Sequence, residues 1–195
     1  MNYYISDTHF GHPKAIWQDN RPFHDVSEMD HFIIKRWNQK VRKTDHVYIC
    51  GDLCGWNIKD RKHSSTDEKC LEWYLHHLNG RKHLIAGNHD MNILKSRSAL
   101  EYLESVDQIR EIMDGDKKIV LCHYPMIEWN GMYSGSYHIY GHVHCAETET
   151  FNLMQKKENA FNAGCMLNCY EPVRLSELIR NKVLQTRKAE DQYKR

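Results

Sequence analysis

Five short segments of this chain close on side chains able to hold a metal ion: Asp7 with His9, Gly51-Asp52, Gly87-Asn88-His89-Asp90, His123, and Gly141-His142-x-His144. Carboxylate, amide and imidazole groups so far apart in sequence meet only if folding brings the ends of several elements together. Each segment follows a short apolar run rich in β-branched or aromatic residues (NYYIS, HVYIC, KHLIA, KIVLC and YHIY), and each run stops at a polar or glycine-containing turn. The pattern predicts a layered α/β chain whose site lies just beyond strand ends, where neighbouring strands converge and loops stay open to solvent.

Between the strands, Val26 to Lys43 places Met29, Phe32, Ile33, Trp37 and Val41 at spacings of three and four, which reads as an amphipathic helix with Ser27 as its N-cap. A second helix is expected over Thr66 to Leu78, ending at Asn79-Gly80, a third over Ser98 to Val106, and a closing one over Ser176 to Lys188. Asp114 to Lys117, reading DGDK, signals a hairpin between QIREIM and KKIVLCH, and FNAGCML reads as a late strand. A single domain over 1–188 is expected, of a size that buries about 70% of the surface its unfolded chain would expose. Residues 189–195 are charged, lack apolar spacing and are expected to fray.

Composition narrows the function class by exclusion. Lys plus Arg number 27 against 26 Asp plus Glu, so no strong field draws the chain to nucleic acid or anionic membrane. No charged leader with a long apolar stretch opens the sequence, and no apolar run approaches the ~20 residues of a membrane span, so a cytoplasmic protein is expected. The seven cysteines are an odd number, most of them beside apolar or motif positions, which favours reduced thiols. Cys50/Cys54 and Cys165/Cys169 share a spacing of four, yet Cys50 falls within an apolar run, where a buried thiol is expected rather than a zinc ligand.

Asp7 and His9 are two apart, so on an extended strand end they point the same way and can share an ion; His142 and His144 repeat that spacing. Asp52 follows a glycine that lets the backbone turn sharply, and its two carboxylate oxygens can bridge two ions. Asn88 and His123 add an amide oxygen and another imidazole. This mixed set suits divalent Mn, Fe, Zn, Co or Ni more than Ca or Mg. Two such ions about 4 Å apart hold a bridging hydroxide and clamp phosphate oxygens for in-line attack, so phosphoester hydrolysis is the expected chemistry. His89, beside a ligand position, is placed to protonate the leaving alkoxide, and Asp90 to orient its ring.

Taken in order, Asp7-x-His9, Gly51-Asp52, Gly87-Asn88-His89-Asp90, His123 and Gly141-His142-x-His144 resemble the calcineurin-like metallophosphoesterases. The closing NAGCMLNCYEPVRLSEL is similar to the last strand and turn of small bacterial and phage-type members, so the resemblance spans residues 3 to about 175. It implies the metallo-dependent phosphatase fold, a four-layer sandwich of two mixed β-sheets flanked by helices. It implies one ion on Asp7, His9, Asp52 and His144 and a second on Asp52, Asn88, His123 and His142, with manganese favoured. It also implies that His89 is the leaving-group acid.

One departure bears on substrate. The protein Ser/Thr phosphatase branch carries Asp and Arg soon after its GD, whereas this chain reads GDLCGW, with Gly55 and Trp56 in those places. Without that bidentate grip on phosphate, a phosphodiester such as a nucleotide, cyclic nucleotide or RNA-derived ester is expected over a phosphomonoester or phosphoprotein. The alternatives are a phosphomonoesterase or protein phosphatase, and a non-catalytic binding scaffold. Candidate substrate contacts are His12, Arg21, Trp56, Trp129, Asn130 and Tyr133, the last three in the loop Ile127 to Tyr137; Arg21 could replace the missing cation and the tryptophans could stack a base. The basic cluster Lys59, Arg61, Lys62 and His63 reads as a solvated loop.

Overall fold

The computed structural model of the chain describes residues 1–63 and 69–193, with side chains described through Leu184. In chain order the elements are β1 (Asn2–Ile5), α1 (Lys14–Gln18), α2 (Val26–Lys40), β2 (His46–Ile49), α3 (Leu71–His77), β3 (Arg81–Ile85), α4 (Met91–Lys95), α5 (Arg97–Leu100), β4 (Leu103–Asp107), β5 (Ile109–Asp114), β6 (Lys117–Cys122), β7 (Tyr137–Tyr140), α6 (Glu149–Gln155), β8 (Ala160–Asn162) and α7 (Leu175–Tyr193). Two four-stranded sheets result, ordered β1-β2-β3-β4 and β5-β6-β7-β8. The first sheet is wholly parallel. The second is mixed, its antiparallel β5–β6 hairpin closing at Asp114 and Lys117 as DGDK predicts.

Alternation along the strands sorts the core into layers. Tyr3, Ile5, Val47, Ile49 and Leu84 face outward onto Met29, Ile33 and Trp37 of α2 and Leu71, Tyr74 and Leu75 of α3. Tyr4, Tyr48, Cys50 and Ile85 face inward against Ile119, Leu121, Ile139 and Phe161 of the second sheet. Val120, Tyr140 and Ala160 present the outer face of that sheet to Trp129 and to Met154 of α6. The order helix, sheet, sheet, helix is the expected four-layer α/β sandwich. All seven cysteines are free thiols, and Cys50 and Cys54 lie in different hydrophobic clusters, so that pair forms no zinc knuckle.

Several element boundaries differ from the sequence reading. Asp25, not Ser27, caps α2: its carboxylate accepts the Glu28 N–H at 2.8 Å, since its own backbone is extended while Ser27 is already helical. The stretch expected as one helix over Ser98 to Val106 divides into α5 and the edge strand β4, whose alternating half-buried and exposed residues, with β-branched Val106, fit a pleat better than a turn. The late strand FNAGCML is short; β8 stops at Asn162 and Cys165–Leu167 forms a 3-10 turn. In the second helix, Leu71 onward is helical, while Thr66 to Glu68 lie outside the described residues. The closing helix runs past Lys188 to Tyr193, through residues of good helix propensity. Among the described residues no helix is long and apolar enough to cross a membrane.

Candidate metal centre

The loops after β1, β2 and β3 meet the loops after β6 and β7 along the edge where the two sheets adjoin. Two bridges set that edge: Ser6 pairs with Gly164, and Tyr4 with Val173. Five of the ligand-type residues then leave their strands with left-handed backbone: Asp7 at φ 56°, His9 at 51°, Asp52 at 55°, His142 at 70° and His144 at 48°. Such conformations cost about 1–3 kcal/mol each in a non-glycine residue and persist only where the surroundings enforce them. Gly141 shows how tightly they do so. A Cβ there would collide with the Ser6 hydroxyl and lie 2.6 Å from Asp7 Oδ2.

The seven side chains expected as ligands are brought together. Asp7 Oδ1 lies 3.4 Å from His144 Nε2, which in turn lies 3.3 Å from His9 Nε2. Asn88 Oδ1 lies 3.1 Å from both His123 Nε2 and His142 Nδ1. Asp52 joins the groups: its Oδ1 accepts the His89 N–H at 2.9 Å, while Oδ2 lies 3.8 Å from His9 Nε2 and 3.6 Å from His123 Nε2. Asp7, His9 and His144, and separately Asp7, Asp52 and His123, are spaced so that one cation could touch all three members.

Their chemistry fits a cation. His123 Nδ1 is 2.8 Å from the Cys50 carbonyl and so carries a proton, which aims Nε2 at oxygens of Asn88 and Asp52. His144 Nδ1 is likewise held 2.7 Å from Asp19 Oδ1, turning Nε2 to Asp7 and His9. Acceptors thus face acceptors, an arrangement that either an extra proton or a metal ion satisfies. Burial opposes charge on His144, yet the hydrogen bonds to Asp19 and Asp7 raise it to about 10. Burial drives His9 down to about 3 against the pull of Asp7, which disfavours a positive charge on that ring. Asp7 is lowered to about 2, its own burial outweighed by the hydrogen bond and charge of His144. Burial raises Asp52.

Around this centre several roles differ from expectation. Asp90 does not orient the His89 ring. Its fully buried carboxylate accepts the N–H groups of Asp52 and Gly87 at 2.8 Å and of Leu53 at 3.0 Å, tying the loops after β2 and β3 together, and burial raises it to about 6. Arg21 is no substrate cation either. Its buried guanidinium holds Asp19 Oδ2 at 2.7 Å and donates to the carbonyls of Asp7 and Thr8 at 2.9 Å. Trp129 packs in the outer core of the second sheet, with its indole N–H donated to Ser136, because the loop folds over that sheet instead of over the ligand loops. Asn130 reaches Glu111 of β5, and Tyr133, 84% exposed, donates its hydroxyl to Glu128.

His89 and His12 remain beside the centre. His89 Nε2 stands 4.0 Å from Asp52 Oδ2 on a half-exposed ring. His12 is buried with its ring 5.5 Å from that of His9 and 6.0 Å from that of His89. Trp56 is 60% exposed, on a loop held by Asn92. Two neighbours escaped the sequence reading. Asp19 has no motif around it. Tyr124, 45% exposed, packs its ring 4.7 Å from His142, and its place directly after His123 was the available signal.

No family model matches the chain. It is 31% identical over 188 residues to the uncharacterized protein MJ1445 of Methanocaldococcus jannaschii, a match covering 94% of each chain. It is 29% identical over 166 residues to the gene 66 protein of Mycobacterium phage L5, covering 73% of this chain and 76% of that one. Among solved structures, a protein of unknown function from Aquifex aeolicus, AQ665, superposes with a TM-score of 0.66 at 27% identity, over 89% of this chain and 94% of that one. What this chain shares with the archaeal protein and with AQ665 is therefore nearly its whole length.

Proposed function

Because the chain's ordered motifs resemble those of the calcineurin-like metallophosphoesterases and lie on two facing sheets, we propose that it hydrolyses phosphodiesters with two divalent metal ions. The observation that carries this reading is Asp52 Oδ2, a single oxygen facing His9 on one side and His123 on the other. Asp7, His9, Asp52 and His144 would hold one ion, and Asp52, Asn88, His123 and His142 the other. Mixed carboxylate, amide and imidazole ligation suits Mn, Fe, Zn, Co and Ni more than Ca or Mg, and Mn is the ion proposed. When bound, such ions supply Lewis acidity to phosphoryl oxygens and lower the pKa of water toward neutrality.

The protein's own groups do the rest. His89, held by its backbone on Asp52 Oδ1 with its ring half-exposed at the rim, gives a proton to the departing oxygen. Asp90 fixes the two loops that carry Asp52 and His89. A diester is favoured because the Arg21 guanidinium is buried on Asp19 and two carbonyls, leaving it no reach to a dianionic monoester. Exposed Tyr124 and Trp56 offer flat faces to an aryl or nucleobase group.

The test is Mn-dependent turnover of bis(4-nitrophenyl) phosphate against 4-nitrophenyl phosphate. The diester is expected to be cleaved faster, with the rate reduced about a hundredfold or more in His89→Ala and lost in Asp52→Asn. Equal or faster monoester cleavage would reject the diester preference. Absence of turnover with Mn, Zn, Ni and Co would reject the enzyme.

A further inference from the structure

His12 lies 7% exposed against the metal centre, and neither of its ring nitrogens touches a hydrogen-bond partner or solvent. A buried imidazole with both nitrogens unmet is costly and calls for a partner that the chain does not supply. His9 Nδ1 is in the same condition next to it. The three imidazoles of His9, His12 and His89 form a triangle with ring centres 5.2 to 6.0 Å apart, and His89 is its solvent-facing corner.

The fold makes room for His12 here. Phe10 pairs with Cys54, and the Gly55 N–H donates to the Phe10 carbonyl, laying the loop after β2 along the loop after β1. At Gly55 a Cβ would come within 2.7 Å of His12 Cβ and 2.6 Å of Asn57 Oδ1. Any side chain at this position would push His12 out of place. Gly55, which stands where the protein Ser/Thr phosphatase branch carries Asp, is thus the residue that admits an imidazole beside this loop, next to the Trp56 that replaces the phosphate-gripping Arg.

Resting on the phosphodiesterase reading above, we propose that His12 is a specificity-determining residue, donating a hydrogen bond from its neutral ring to the substrate phosphodiester beside the oxygen that His89 protonates. A neutral donor matches a monoanionic diester without the attraction that a dianionic monoester would demand. A half-turn of the ring about Cβ–Cγ exchanges nitrogen and carbon positions within the same volume, so the ring turns onto the substrate without repacking.

The experiment pairs two readouts on the full chain: Mn binding by electron paramagnetic resonance of free Mn, and kcat/KM for bis(4-nitrophenyl) phosphate. In His12→Ala, kcat/KM is expected to fall about ten- to hundredfold, the size of one lost hydrogen bond to a charged oxygen, while Mn affinity stays within about twofold. His12→Gln, which keeps an N–H donor, is expected to recover part of the loss, and Gly55→Ala to reproduce it by displacing the ring. Unchanged kcat/KM in His12→Ala would overturn the assignment. So would a parallel loss of Mn affinity, which would make His12 a support for His9. A wild type that binds Mn but cleaves neither ester would overturn the phosphodiesterase reading, and this assignment with it.

Discussion

Asp19 lies 125 residues from His144 in sequence, yet its carboxylate sets the direction of that imidazole at 2.7 Å while Arg21 holds its other oxygen. Fixing the Nδ1 proton makes Nε2 a better and better-aimed donor to a cation. Asp19→Asn is therefore expected to weaken Mn binding about 10–100-fold by isothermal titration, and an unchanged isotherm would show that the pair is incidental. The side chains gathered at the centre were legible in the sequence because short motifs at strand ends mark them. Asp19 was not legible, since an isolated aspartate acquires its role only from what folding puts opposite it. Arg21, Trp129 and Asp90 mislead for a related reason: their types suit substrate contact or catalysis, but the direction of a side chain from a loop is a tertiary fact.

Elements tell a similar story. The strands leading into the site are legible because their inward and outward faces are both buried and both apolar, as in Tyr3, Tyr4 and Ile5 of β1. β4 is harder, since an edge strand with half-buried residues has the composition of a helix end, and only its pairing with β3 decides the matter. Helix α2 is legible in its apolar stripe and less so in its start. Asp25→Ala should lower stability by about 1 kcal/mol through loss of the cap, read as a shifted urea midpoint with unchanged slope. Ser27→Ala should change it little, and the reverse order of effects would restore Ser27 as the cap.

Across the whole molecule, stability should depend on pH through a group remote from the ligands. His138 is fully buried, with Nδ1 donating to the Val120 carbonyl at 3.0 Å and Nε2 accepting the Met126 N–H at 3.0 Å, so its neutral form is built into the second sheet. Burial lowers it to about 4. The unfolded chain takes up that proton near pH 6.5, so its contribution is intact above that value. It is lost by about 1.4 kcal/mol per pH unit as pH falls toward 4. Urea titrations at pH 7, 6 and 5 should show this slope, and His138→Gln should flatten it by one proton; an equal slope in both would assign the effect elsewhere.

The two sheets adjoin at the centre, with Asp7, Asp52 and Asn88 on loops from one and His123, His142 and His144 on loops from the other. An ion held there would work as a rivet through two plates as well as a reagent. Trypsin digestion with and without Mn should register it: cleavage slows when Mn is supplied, by about a hundredfold at 100 times the dissociation constant where cutting requires the sheets to part. Unaltered digestion would mean that the sheets hold equally well without the rivet. On these terms metal supply governs how long each copy of the chain survives as well as how fast it works.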